Sequence, residues 1–242
     1  MQKEINPAYR IYPLGDRALS VDWGNRIDPD LNARSLALFD RLQRAVLPGI
    51  TNLVPAYSSL TLIFDAVVLA DQYPGQQPYE VVRQQVLALL ETQEAAAGPS
   101  PGRLVEIPVC YAPGYGPDLD ALARSAGLSS EAVIDLHSAT EYRVYMLGFL
   151  PGFAYLGRVD RRIAAPRRAS PRTHVPAGSV GIAGEQTGIY PQASPGGWNL
   201  IGRTPLPLFD ARNANPTLLH PGDRVRFYPV SPERFHQLLS ES

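Results

Sequence analysis

The sequence predicts an α+β protein in two parts: a small sheet backed by helices on one face, then a β-rich barrel or sandwich. Three observations predict it. Apolar periodicity in the N-terminal part runs in the order ββαββα. Ala95–Gly102 (AAAGPSPG) then breaks the pattern with small residues, Pro and Gly, as a linker does. Beyond Gly148 the apolar segments are short and punctuated by Gly and Pro.

Taken in order, Tyr9–Pro13 and Ala18–Val21 read as short strands around a Gly15-Asp16 turn. Asp28-Pro29 marks a helix start, with Asp28 as N-cap and Pro29 at the first helical position. Leu31, Leu38, Leu42 and Val46 form its apolar stripe, ending at Pro48-Gly49. Ile50–Ala56 and Ser59–Phe64 are β-branched strands. Tyr79, Val82, Val86, Leu89 and Leu90 mark a second amphipathic helix. After the linker, Leu104–Val109 reads as a strand. Short helices follow from Pro117-Asp118 and from Ser129 or Ser130, the second carrying His137. Tyr142–Leu147 and, last, Asp223–Tyr228 are strand-like.

Composition narrows the function. No apolar run approaches the ~20 residues that span a bilayer. The start, MQKEINPAYRIYPLGD, lacks the apolar region of a secretory signal. The single cysteine, Cys110, fits a reducing compartment and a core position, so a cytoplasmic location is expected. Net charge is −1, and no basic run lies outside one Gly/Arg-rich segment, so neither nucleic acid nor membrane is an expected partner. Lys3 is the only lysine, which rules out the G-x-x-x-x-G-K-[ST] phosphate loop. The four histidines are far apart and lack metal-ligand spacing, so no protein-ligated metal is expected.

The segment Gly148–Arg203 holds half of the glycines and seven arginines against only Asp160 and Glu185. Glycines admit close backbone approach, and guanidinium forks suit phosphate or carboxylate, so this is the expected anion-binding surface. Arg158, Arg161 and Arg162 read as a solvated basic loop. Arg167, Arg168 and Arg172 flank Pro166 and Pro171, where a β-ladder is not expected. Arg172 and Arg203 lie beside apolar sequence and need an anionic partner, either a protein carboxylate or a ligand. Gly184–Gly188 is either a hairpin turn or a binding loop.

Three runs are more specific: Tyr145–Gly157 (YMLGFLPGFAYLG), Val175–Gly184 continuing through Gln186–Pro191, and Ser194–Thr204 (SPGGWNLIGRT). With Gly15–Leu19, Pro55–Leu60 and Pro221–Val225, they resemble the family of the 5-oxoprolinase B subunit, PxpB, over nearly the whole chain. That family also includes the histidine-kinase inhibitor KipI and the domain once called allophanate hydrolase subunit 1. Glu185 departs from the glycine more usual there. The resemblance implies a ferredoxin-like domain over residues 1–97 and a cyclophilin-like β-barrel over 103–242. It implies a complex with a homologous PxpC-type partner and a PxpA-type partner. The complex would open 5-oxoproline to L-glutamate, with ATP as co-substrate, accompanied by Mg²⁺. On matching positions, Arg203 and Arg172 would neutralise phosphoryl charge. Backbone N–H groups of Gly178, Ser179 and Gly181 would cradle an anion. Gln186, Thr187 and Tyr190 would orient substrate, and His137 would transfer protons. The resemblance also carries an alternative, a KipI-like inhibitor of a sensor histidine kinase. The cyclophilin-like fold alone suggests a third, a prolyl isomerase.

Overall fold

The structure, a computed structural model, describes residues 5–6, 9–91 and 102–241. It divides into two compact units, Met1–Pro101 and Gly102–Ser242. All of the expected linker except Gly102 lies outside the described residues.

The first unit runs β1 (Ile5–Asn6), β2 (Tyr9–Pro13), β3 (Ala18–Asp22), α1 (Pro29–Ala45), β4 (Ile50–Pro55), β5 (Ser59–Phe64), α2 (Ala66–Gln72) and α3 (Pro78–Glu91). Its sheet has the order β1-β2-β3-β5-β4, antiparallel throughout. Because β5 inserts between β3 and β4, the β3-α1-β4 unit is a split βαβ, as in a ferredoxin-like sheet. Here the strand beside β3 precedes it in the chain. Alternate residues Leu19 and Val21, and Leu60, Leu62 and Phe64, share one face and pack with Leu38, Leu42, Val82 and Val86 of α1 and α3. Asp28 caps α1, its carboxylate accepting from the Asp30 and Leu31 amides. Val46 is not on the apolar stripe: it is 80% exposed and left-handed at φ 43°, ending the helix.

The second unit runs β6 (Leu104–Val109), α4 (Leu119–Ala126), α5 (Ser130–Ala139), β7 (Glu141–Leu147), β8 (Ala154–Gly157), β9 (Arg172–Val175), β10 (Ser179–Ala183), β11 (Gln186–Ile189), β12 (Ser194–Gly196), β13 (Asn199–Arg203), β14 (Arg224–Pro229) and α6 (Pro232–Glu241). Seven strands form one sheet in the order β13-β10-β11-β8-β7-β14-β6. Only the β14–β6 pair is parallel. At its ends Cys110, just past β6, exchanges two backbone hydrogen bonds with Arg203 of β13, at 2.8 and 2.9 Å. That bridge brings the edge strands together, and the sheet is nearly closed into a barrel. Ile107, Val109, Val144, Leu156, Val180, Ile182, Ile201 and Phe227 form its interior with Leu122 and Val133 of α4 and α5. A two-stranded ladder of β9 and β12 accompanies it. So Arg172 does begin a β-ladder, contrary to the expectation from its flanking prolines.

Candidate functional site

The barrel seam that Cys110 closes also fixes Arg203 at the end of β13. Just before β10, Gly178 sits at φ 80°, where a Cβ would land on the Thr204 carbonyl, so only glycine fits. Its N–H donates to the Tyr190 carbonyl (2.7 Å) and its carbonyl accepts from Thr204 (2.9 Å). Arg203 Nε donates to the Ala177 carbonyl at 2.7 Å, and its guanidinium carbon lies 5.9 Å from the centre of the Phe235 ring. The result is a cleft of 330 Å³ lined by Ala177, Gly178, Pro191, Arg203, Thr204, Pro205, Leu206, Pro207, Phe235 and Leu239. Helix α6 supplies the last two. Phe235 is buried and packs on Tyr115 with ring centres 4.7 Å apart; the Tyr115 hydroxyl meets His236 Nε2 at 3.1 Å. Among the described residues no carboxylate pairs with Arg203, so its terminal nitrogens lack a counter-ion.

Arg172 has the opposite environment. Its two terminal nitrogens grip both oxygens of Asp118 at 2.7 and 2.8 Å, and Arg168 joins the same carboxylate at 2.8 Å. Asp118, whose side chain is 7% exposed, also accepts the Leu200 amide at 2.7 Å. It stands before α4 without capping that helix by its side chain. The open question of Arg172's partner is thus answered by a protein carboxylate, which it shares with Arg168 and which engages both of its terminal nitrogens.

The remaining expected site residues do not gather at the cleft. His137 is fully buried, stacked on Phe227 at 4.6 Å. Its ring bridges the Tyr111 hydroxyl (2.8 Å) and Thr187 Oγ1 (3.0 Å). Thr187 spends its single proton on the Gly181 carbonyl, so His137 Nε2 carries the hydrogen and Nδ1 accepts from Tyr111. Burial pushes the His137 pKa down to about 3. A neutral, sealed imidazole is not a proton carrier for a ligand, which corrects its expected catalytic role. Thr187, likewise fully buried, serves this network rather than a substrate. The expected backbone cradle is also absent: Gly178 and Ser179 donate their amides to Tyr190 and Pro176 carbonyls, and Gly181 lies between β11 and β13. A Cβ there would sit tightly, 3.1 Å from Trp198 Cβ. Tyr190 does not line the cleft: its carbonyl accepts the Gly178 amide, and its buried ring joins Phe153 and Trp198 in a separate aromatic cluster. Gln186 sits at the other end of β11, opposite Ala183 and Gly157.

Gly184-Glu185 is a two-residue hairpin turn between the paired Ala183 and Gln186. Gly184 at φ 60° supplies the left-handed first position such turns use. Glu185 is exposed, within 3.6 Å of Arg158 and 4.0 Å of Arg161; Arg162 forks onto Asp160. This half of the Gly/Arg segment is the expected solvated surface. Cys110 is buried, and burial raises its thiol pKa, as suits a core residue.

Residues 9–219 match the carboxyltransferase domain, subdomain C and D. The chain is 44% identical to the 5-oxoprolinase B subunit of Bacillus subtilis (strain 168) over 97% of its length and 98% of that protein. The chain belongs to this family. The corresponding B subunit of Escherichia coli O157:H7 is 41% identical over 91% of this chain and 95% of its own. Among solved structures, TTHA0988 is 42% identical with a TM-score of 0.75, covering 89% of this chain. This chain spans 40% of that longer chain.

Of the ten residues lining the cleft, the sequence pointed to Gly178 and Arg203 alone, and it did not point to Asp118 as a partner of Arg172. Phe235 and Leu239, four apart, had a legible signal in their helical spacing. Asp118 had none, because its partners are 50 and 54 residues away. Among the described residues no group of three or more His, Cys, Asp or Glu could hold a metal ion. No described helix is long and apolar enough to cross a membrane.

Proposed function

We propose that this chain is the B subunit of an ATP-dependent 5-oxoprolinase, acting in a cytoplasmic complex with a homologous PxpC-type partner and a PxpA-type partner. The observation that carries the reading is the end-to-end likeness, 44% identity over 97% of the chain, to a protein named as that 5-oxoprolinase component. The geometry supports it with one cleft that joins a cation lacking a counter-ion to apolar walls.

The lactam of 5-oxoproline is a poor electrophile. Phosphoryl transfer from ATP to the lactam oxygen releases ADP and activates the ring carbon. Water adds there, the C–N bond breaks, and a second water frees phosphate, leaving L-glutamate. Such chemistry depends on positioning and charge neutralisation. Arg203 supplies the positive charge for an anionic group of the ligand. Arg172 is a positioning residue that ties β9 to Asp118. Mg²⁺ enters with the ATP phosphates, and the chain alone is inactive. The test mixes it with its candidate partners and measures phosphate release with and without 5-oxoproline. Release that does not depend on 5-oxoproline in the complete mixture sinks the reading.

A further inference from the structure

The family resemblance gives Arg203 phosphoryl charge to neutralise, but a guanidinium fork suits a carboxylate equally. The hydrogen-bond inventory of the cleft distinguishes them. A triphosphate needs several converging donors, from consecutive backbone N–H groups or multiple cations. Pro191, Pro205 and Pro207 have no N–H to give. The amides of Gly178, Arg203, Thr204 and Phe235 donate to carbonyls within the fold, and that of Leu206 to Thr204 Oγ1. Leu239 lies within α6. Of the residues lining the cleft, Ala177 alone keeps an amide without an acceptor among the described residues. The only cation in the lining is Arg203.

That one guanidinium is oriented. Its Nε is spent on the Ala177 carbonyl, which leaves the two terminal nitrogens as a fork matching a single carboxylate. Around it stand Pro191, Pro205, Leu206, Pro207, Phe235 and Leu239, which favour a compact apolar body. From this inventory we infer that the Arg203 cleft binds the carboxylate of a small ring-shaped acid, and that this chain does not hold the phosphates of ATP there. The nucleotide phosphates must then find their donors elsewhere in the assembly. The inference rests on reading the cleft as the ligand site of a 5-oxoprolinase component, and it deepens that reading by assigning the anion.

The test titrates the full chain with 5-oxo-L-proline, cyclopentanecarboxylate, 5-oxoprolinamide and Mg·ATP, following backbone amide shifts by NMR. Both acids should shift Ala177, Thr204 and Leu239. The uncharged amide should bind at least about tenfold more weakly, as loss of a charge-assisted pair predicts. Arg203→Gln should weaken both acids by about tenfold or more, Arg203→Lys should recover part of the loss, and Mg·ATP should leave these amides unmoved. Competition by Mg·ATP at these amides, equal binding of the uncharged amide, or no shift with either acid overturns the inference. Arg203-dependent binding of cyclopentanecarboxylate without 5-oxo-L-proline leaves the carboxylate cleft standing and removes the 5-oxoprolinase reading instead.

Discussion

Arg172 and Arg203 come from the same Gly/Arg-rich segment, and the fold gives them opposite lives. Arg172 is three-quarters buried and forked onto Asp118, which also holds Arg168 and the Leu200 amide. Among the described residues the Arg203 guanidinium meets a carbonyl and a ring but no carboxylate, beside a cleft. The first arrangement anchors its guanidinium on a carboxylate of the protein and serves the fold. The second leaves its guanidinium without one and is the one fitted to a ligand. An arginine-rich segment is therefore not one anion site; the internal carboxylate decides which guanidinium remains available.

The largest effect should follow from breaking the closed arrangement. Asp118→Ala leaves two arginines and a buried amide without their acceptor, which costs about 3–5 kcal/mol of unfolding free energy. Urea denaturation checks it, and a loss below ~1 kcal/mol would show that the clamp is not what holds β9. Arg203→Ala should do the reverse. Stability should change by less than ~1 kcal/mol, while 5-oxoproline-dependent turnover of the complex falls about 10²-fold, or ~2.7 kcal/mol. Equal effects of the two substitutions on stability would erase the contrast.

Local signals carried most of the fold. Asp28-Pro29, the alternating strands and the glycine punctuation are written in adjacent residues, and β2 to β5, α1 and α3 follow from them. α2 and α6 went unread, although Asp65 caps the first in the same way as Asp28 caps α1. The site was only half legible. Arg203 and Gly178 were named, but the pairing of Asp118 with Arg172 and the sealing of His137 by Tyr111, Thr187 and Phe227 are long-range events. Residue type suggested chemistry in each case, and burial with a partner cancelled it.

His137 sharpens the contrast through pH. Its pKa of about 3 in the folded chain lies below the ordinary value of 6.5, so between these values the unfolded chain binds a proton that the folded chain refuses. Its contribution to stability is complete above about pH 6.5 and is lost as pH falls toward 3. The slope approaches ~1.4 kcal/mol per pH unit at most. Wild type and His137→Gln should therefore differ in the pH slope of unfolding free energy between about pH 6 and 4, the variant being flatter. Parallel slopes would mean that His137 gains and loses its proton in the folded chain as freely as in the unfolded one, and is open to proton transfer after all.

The smallest effect is expected at Glu185, where the family resemblance led us to expect glycine. It sits at the exposed tip of the β10–β11 hairpin, with ion-pair distances of 3.6 and 4.0 Å to exposed arginines, and it does not line the Arg203 cleft. Exposed pairs of this length contribute little. A second glycine beside Gly184 adds some unfolded-state freedom. Glu185→Gly should therefore change stability by less than ~1 kcal/mol and leave acid binding at Arg203 within about twofold. A tenfold gain in acid affinity would mean that the outer hairpin and the cleft are not separate. It would make the two halves of the Gly/Arg segment a single binding surface.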